Sequence, residues 1–381
     1  MKMLVVQPYL NLMGGVDRVI LEIAKHYDAK IYTLEYDPKY TYPEFKGLNI
    51  EVIKPKGSIG VLPYRASQGL RYGYSFYRMK IKEDYDVLNP HISPSEWIRQ
   101  RNERVLWYCH TPPREVYDLY EVRMQGRSAR EKLLYAAMVK TYKFIAGRVV
   151  KKIEAIATNS NTTNERIKKY FGVQASVINP GIHAEEYSSK GDDKFFFYPS
   201  RIVANKRQDY VIEAFRQFTK SSKKKYNLVI AGSVSKDPEH QAYLKKLKSL
   251  GSGLNVKIIE NASEKEMKNL YSRCTAVLFA AINEDYGFIP LEAMASCKPI
   301  ISVKEGGPTE TVLDHETGFL VDSPQQMANR MLFVTEHPSL AEDMGMAGRK
   351  RVESHYSWEE FFKKFDPVAR RVSRQQSEIK T

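Results

Sequence analysis

Strand-like apolar runs alternate with helical stretches twice along this chain, and a turn-rich break separates the two series. The first series opens with Met3-Leu4-Val5-Val6, which breaks at Gln7-Pro8. Gly14-Gly15 follow, and then Val16, Val19, Ile20, Ile23 and Ala24 at the spacing of one helix face. Asp17 stands in the first turn of that helix, where the macrodipole favours an anion. Further strands are expected at residues 29–33, 50–53, 87–88, 104–108, 155–158 and 176–178. Short continuous apolar runs suit strands buried on both faces, and their alternation with helices predicts a doubly wound parallel α/β sheet.

Turn residues dominate from Asn179-Pro180-Gly181 to Gly191-Asp192-Asp193. A second series begins at Phe195-Phe196-Phe197-Tyr198 and continues through residues 227–231, 256–259, 276–279, 299–303 and 318–321. This pattern divides the chain into an N-terminal domain, 1–190, and a C-terminal domain, 191–355. Residues 356–381 form a closing helix with Trp358, Phe361, Phe362 and Phe365 on one face, expected to pack back toward the N-terminal domain before a polar tail. Two such domains in tandem imply a ligand cleft between them.

The charge is uneven. The whole chain carries 59 basic and 45 acidic side chains, a net of +14. Residues 63–152 alone hold 18 basic against 9 acidic groups. Arg65, Arg71, Arg78, Lys80 and Lys82 interleave there with Tyr64, Tyr72, Tyr74, Phe76 and Tyr77, and Arg123, Arg127, Arg130, Lys132, Lys140, Lys143, Arg148, Lys151 and Lys152 follow on expected helices. Such mixtures suit anionic lipid headgroups, so an anionic membrane surface is an expected partner, with docking of an anionic acceptor or a merely solvated basic face as the alternatives. No nucleic-acid module accompanies the charge, and nucleic acid is not expected. The longest apolar runs fall far short of the roughly 18 residues of a spanning helix, and the N-terminal run is too short for a signal sequence. Cys109, Cys274 and Cys297 are too far apart for a disulfide framework or a zinc site. A cytoplasmic protein, peripherally bound to the inner membrane face, fits these features.

Three loops of the second domain carry the chemistry. Glu284-Asp-Tyr-Gly287-Phe288-Ile-Pro-Leu-Glu292 follows a strand and places one glutamate in a strand-to-helix loop and another inside the helix, at the carboxyl edge where ligands bind. Gly287 lets backbone N–H groups approach a phosphate at a helix N-terminus, and two carboxylates suit sugar hydroxyls. Arg201 and Lys206, after the strand at Phe195, can meet a diphosphate as a fork and a point charge. Glu305-Gly306-Gly307-Pro308-Thr309-Glu310 offers a further nest of backbone donors.

With these motifs in order, the chain resembles the retaining glycosyltransferases of family 4, which have the GT-B fold of two facing Rossmann-like domains. Gly14-Gly15 matches the family's first glycine loop, Asn179-Pro180-Gly181-Ile182-His183 its entry to the second domain, Arg201 and Lys206 its diphosphate pair, and Glu284 and Glu292 its paired glutamates. Gly306 to Glu310 match its second glycine turn. The resemblance implies that Glu292 holds the nucleotide ribose, Glu284 a hydroxyl of the donor sugar, and Arg201 and Lys206 the diphosphate. It further implies that backbone N–H groups of Gly15, Gly287 and Phe288 approach sugar or phosphates, with Gly14 and Gly307 in the glycine turns, and that Ile259 contacts the base. Trp107-Tyr108-Cys109-His110-Thr111-Pro112-Pro113-Arg114 is similar to a segment of mannosyltransferases that use GDP-mannose, with Pro113 and Glu115 departing from it. His110 is placed near the anomeric centre as a catalytic group, His91 is a candidate for acceptor contacts, and Cys109 reads as a small buried hydrophobe.

The resulting expectation is a retaining hexosyltransferase that needs neither metal nor cofactor, the nucleotide-sugar being a substrate. GDP-mannose is favoured, a UDP-sugar is the alternative donor, and the acceptor is a lipid-linked or glycan molecule in polysaccharide or glycolipid synthesis. A nucleotide-sugar epimerase of the same fold matches the paired glutamates less well. A non-catalytic basic protein that binds membranes or nucleic acid is the alternative from another class.

Overall fold

The computed structural model describes residues 1–55 and 64–375. The side chains of Tyr64 and Arg65, and the end of the polar tail from residue 376, lie outside the described residues. The chain divides into two compact units: Met1–Asn179 with Phe362–Thr381, and Pro180–Phe361.

The first unit contains β1 (Met3–Leu10), β2 (Lys30–Tyr36), β3 (Ile50–Val52), β4 (Val87–Pro90), β5 (Leu106–Cys109), β6 (Ala155–Thr158) and β7 (Ser176–Val177). All pairings are parallel, in the order β3-β2-β1-β4 and β5-β6-β7. A parallel bridge between Leu88 and Val105 joins the two groups. Strand β1 runs past the expected break at Gln7-Pro8, for a reason visible in the ladder. The Val6 carbonyl accepts from His91 N–H at 3.1 Å, so Val6 faces β4, and Pro8, two residues on, faces the same side. Pairing with β4 ends at Val6 and Pro90, so the N–H that Pro8 lacks would have had no strand to meet.

The second unit contains β8 (Phe195–Pro199), β9 (Asn227–Gly232), β10 (Val256–Glu260), β11 (Ala276–Phe279), β12 (Ile300–Val303) and β13 (Gly318–Val321). They form one parallel sheet in the order β10-β9-β8-β11-β12-β13. Both faces are covered. Phe196 and Tyr198 of β8, Leu228 and Ile230 of β9 and Leu278 of β11 belong to one core cluster. Their chain neighbours Phe195, Phe197, Val229, Ala231 and Val277 belong to the other. Side chains alternate across a strand, so a sheet buried on both sides requires an unbroken apolar run such as Phe195-Phe196-Phe197-Tyr198. Each fully buried phenylalanine adds roughly 1.5–3 kcal/mol from its removal from water.

The division falls at Asn179/Pro180 and not at 190. Ile182 N–H donates to the Tyr356 carbonyl at 2.8 Å and Lys190 N–H to that of Ser272 at 2.7 Å. Ile182 and Tyr187 also join the second unit's core. Residues 180–190 thus belong with the second unit although their composition is that of a linker. The last helix runs over Trp358–Arg374. From Phe362 on it groups with the first unit: Phe362 stacks on His26 with ring centroids 3.7 Å apart, and Tyr27 Oη donates to Asp366 Oδ1 at 2.5 Å.

Candidate functional site

In the second unit, β8 leads outward to β9 and β10, whereas β11 begins the series on the other side. The point between β8 and β11 is therefore a topological switch point, where the loops leaving two neighbouring strands part and open a crevice at their carboxyl ends. Lys206, in the loop after β8, and Glu284, in the loop after β11, meet there with Nζ 2.5 Å from Oε2. Both side chains are largely covered, 12% and 26% exposed. A second pair reinforces the first. Arg207 Nη2 lies 2.7 Å from Glu305 Oε2, and its Nε donates to the Ala280 carbonyl at 2.7 Å, so residues from the loops after β8, β11 and β12 are tied together.

Arg201 stands at the start of the loop after β8, where its backbone carbonyl accepts from Gln208 Nε2 at 2.8 Å. Its side chain is exposed, and its guanidinium makes no ion pair among the described residues. One cation is thus preset against a carboxylate, and another, at the start of the same loop, is left open.

The loop that carries Glu284 is held by the glycine turn. Gly307 N–H donates to the Glu284 carbonyl at 2.8 Å. Gly306 has φ +65°, and a Cβ there would lie 2.2 Å from the Glu284 carbonyl oxygen. The expectation that this turn offers a nest of donors to a ligand is corrected accordingly. The Gly307 N–H is taken up by the protein, and the turn's part is to position Glu284. Gly287, with φ +86°, caps the helix Phe288–Ala295. Pro290 stands in the first turn of that helix and has no N–H to offer. Phe288 packs edge-on against Tyr286 with centroids 5.2 Å apart.

Glu292 has partners other than Lys206. It is 8% exposed, and its two oxygens accept from Tyr187 Oη at 3.3 Å and Tyr271 Oη at 2.5 Å. Sequence reasoning missed both tyrosines, whose separations of 105 and 21 residues give no local signal. Ile259 sits half-buried near the carboxyl end of β10, two strands from β8, or about 10 Å at ordinary strand spacing.

In the first unit, the Gly14-Gly15 turn opens the helix Gly15–Tyr27, and Asp17 occupies its first turn. The carboxyl is 5% exposed, and burial pushes it up to about 7 despite hydrogen bonds from the backbone of Asp17 and Gly14. Desolvation therefore outweighs those hydrogen bonds here, and the protein's own carboxyl is held by the Gly14 backbone, next to the Gly15 N–H expected to approach a ligand.

His110 follows β5, and His91 follows β4. His91 Nδ1 lies 2.9 Å from His110 Nε2, and His91 Nε2 lies 2.9 Å from Asn89 Oδ1. His91 is 1% exposed with both ring nitrogens engaged inside the protein, so the expectation that it meets an acceptor is corrected. Burial holds the His110 imidazole down at about 3, so it is neutral at physiological pH and unsuited to donating or collecting a full proton. Cys109 is fully buried. No group of three or more acidic, histidine or cysteine residues fit to hold a metal ion occurs among the described residues. The one Asp-x-Asp sequence, Asp84-Tyr85-Asp86, precedes β4, and Asp86 Oδ2 there accepts from Lys2 N–H at 2.6 Å.

Comparison with known proteins adds to this geometry. A family model described as Glycosyltransferase Family 4 matches residues 13–186, and one described as Glycosyl transferases group 1 matches residues 182–351. The human alpha-1,3/1,6-mannosyltransferase ALG2 is 27% identical over 392 residues, covering 92% of this chain and 91% of its own. The Dictyostelium discoideum protein of the same name is 25% identical, covering 97% of each chain. Among solved structures, sucrose-phosphate synthase from Thermosynechococcus elongatus superposes with a TM-score of 0.75 at 16% identity, covering 98% of this chain and 99% of its own. Anabaena HepE in complex with UDP-glucose gives 0.71 at 15% identity, covering 99% and 100%.

Proposed function

Because the chain belongs to glycosyltransferase family 4, and is a hexosyltransferase of the GT-B fold with two Rossmann-like domains, we propose that it transfers mannose from GDP-mannose, with retention, to a lipid-linked acceptor. The observation that carries this reading is the Lys206–Glu284 pair at the switch point, with the exposed Arg201 in the same loop as Lys206. A diphosphate brings charge to the two cations, and a sugar brings hydroxyls to the carboxylate. The mannosyl donor is supported by the names of relatives that match over more than nine-tenths of their own length.

In this reading the bond from the anomeric carbon to the diphosphate breaks, and its electron pair stays with the phosphate oxygen. The acceptor hydroxyl bonds to the same face of that carbon, and its proton passes to the departing phosphate. The protein's task is electrostatic. Lys206 and Arg201 stabilise charge that grows on the diphosphate, and preset charges act strongly because they need not reorganise during the reaction. Glu284 orients Lys206 and accepts from a sugar hydroxyl. Glu292 accepts from the ribose hydroxyls, which requires exchange with Tyr187 or Tyr271.

A nucleotide panel tests the donor. GDP-mannose is expected to raise the melting temperature by several degrees at saturation and to support transfer to a lipid-diphosphate-linked acceptor. A UDP-sugar that does both while GDP-mannose does neither would overturn the donor assignment.

No helix among the described residues is long and apolar enough to cross a membrane. The helix Ala129–Val150 instead presents Arg130, Leu133, Ala137, Lys140, Phe144 and Arg148 on one exposed face, at spacings of three and four residues. Leu133 is 72% and Phe144 58% exposed, and the Arg148 guanidinium lies 3.9 Å from the Phe144 ring centre. Apolar side chains rimmed by cations fit the interface of an anionic bilayer, where the lipid-linked acceptor resides. The double substitution Leu133→Asp and Phe144→Asp is expected to weaken co-sedimentation with phosphatidylserine-containing vesicles at least about tenfold. Unchanged pelleting would remove this face as the docking site.

A further inference from the structure

The contact between His91 and His110 has a direction, and that direction decides what His110 can offer a substrate. Strands β4 and β5 are parallel neighbours, so the residues leaving their carboxyl ends emerge side by side. Asn89 in β4 donates from Nδ2 to the Leu106 carbonyl at 2.6 Å. A carbonyl can only accept, so the amide orientation is fixed and Oδ1 is left as an acceptor. His91 Nε2, 2.9 Å from that oxygen, must therefore carry the ring's proton.

A neutral imidazole has one such proton, so His91 Nδ1 holds a lone pair. His110 Nε2, 2.9 Å from it, must donate. The two rings lie 27° apart in plane with centroids 5.2 Å apart, an edge-to-edge arrangement that suits N–H···N geometry. Trp107 Nε1 donates to the His91 carbonyl at 3.0 Å, and Asn159 Nδ2 to that of His110 at 2.9 Å, so both backbones are pinned. Burial lowers the basicity of both rings, which keeps the chain uncharged. The remaining nitrogen, His110 Nδ1, then bears a lone pair and no proton, and no partner meets it among the described residues.

We propose that Asn89 and His91 are positioning residues that lock His110 in its Nε2–H tautomer, so that His110 meets the substrate at Nδ1 solely as a hydrogen-bond acceptor. The inference rests on the transferase reading for the identity of the ligand, a neutral sugar hydroxyl. It also adds a specificity. A lone pair accepts from a hydroxyl and repels a carboxylate or phosphate, so a sugar oxidised or phosphorylated at the position facing His110 is excluded.

The first test needs no substrate. In protein labelled with 15N-histidine, with the His110 signals assigned by their loss in His110→Ala, Nε2 should be protonated and Nδ1 not. A proton on Nδ1, or an averaged tautomer, would overturn the proposal. The second test compares His91→Gln, whose amide can accept from His110 and donate to Asn89, with His91→Phe, which can do neither. His91→Phe is expected to lower kcat about 10–100-fold, as loss of an orienting outer partner does elsewhere, while His91→Gln stays within about threefold and retains the Nε2–H signature. Equal activity of a folded His91→Phe would also overturn it, and if that variant does not fold, the spectrum of the parent protein decides. Absence of transfer from GDP-mannose would defeat the donor reading and leave the tautomer result standing.

Discussion

Replacing Lys206 with alanine is expected to lower kcat by about 10²–10³, the loss typical of removing one preset donor from developing negative charge, or about 2.7–4 kcal/mol of transition-state stabilisation. Stability should also fall, by about 1–3 kcal/mol, because Glu284, only 26% exposed, is left without its partner in a largely covered pair. Arginine is a poor substitute. Its planar fork must fit a position where a compact ammonium now sits 2.5 Å from a single carboxylate oxygen. Glu284→Ala should also reduce transfer, through the sugar hydroxyl it accepts from and through the Lys206 it orients. Since the two side chains act on one another, the double variant should lose less than the product of the single losses. Steady-state rates with saturating GDP-mannose, beside melting temperatures, check this. A Lys206→Ala enzyme within threefold of the parent kcat would mean that the ammonium does not act on the departing diphosphate.

That pair was legible in the sequence as two separate loops, and only the fold shows that they touch. Lys206 and Glu284 are 78 residues apart, and they meet because β8 and β11 are neighbours across the switch point. The strands themselves were legible because burial on both faces demands continuous apolar runs, and Phe195 to Tyr198 has no other economical use. What local pattern could not reveal were partners fixed by topology. Tyr187 and Tyr271 come to Glu292 from a linker-like segment and from another helix. The tautomer of His110 depends on an amide in the neighbouring strand. Backbone donors were misread for a related reason. A glycine pair after a strand looks the same whether its N–H groups face a ligand or, like that of Gly307, a carbonyl of the adjacent loop.

The glycine turn can be tested against its own backbone cost. Gly306 has φ +65°, where an L side chain costs about 1 kcal/mol. A Cβ at this position would in addition lie 2.2 Å and 2.7 Å from the Glu284 backbone oxygen and nitrogen, which cannot swing aside as a side chain could. Gly306→Ala must therefore displace the Glu284 loop, and a misplacement near 1 Å costs a reacting geometry about 10²-fold in rate. The expected result is a lower melting temperature together with a kcat loss of about 10², comparable to that of Lys206→Ala. Gly253 supplies the comparison. It has φ +76°, stands before β10 at the opposite end of the sheet's strands, and has no atom within 4 Å of the place a Cβ would take. Gly253→Ala should bear the same backbone strain and leave kcat unchanged. If both variants lose activity alike, strain in the second unit as a whole accounts for the loss. If Gly306→Ala alone loses it, the turn acts by setting where Glu284, and through it Lys206, stands.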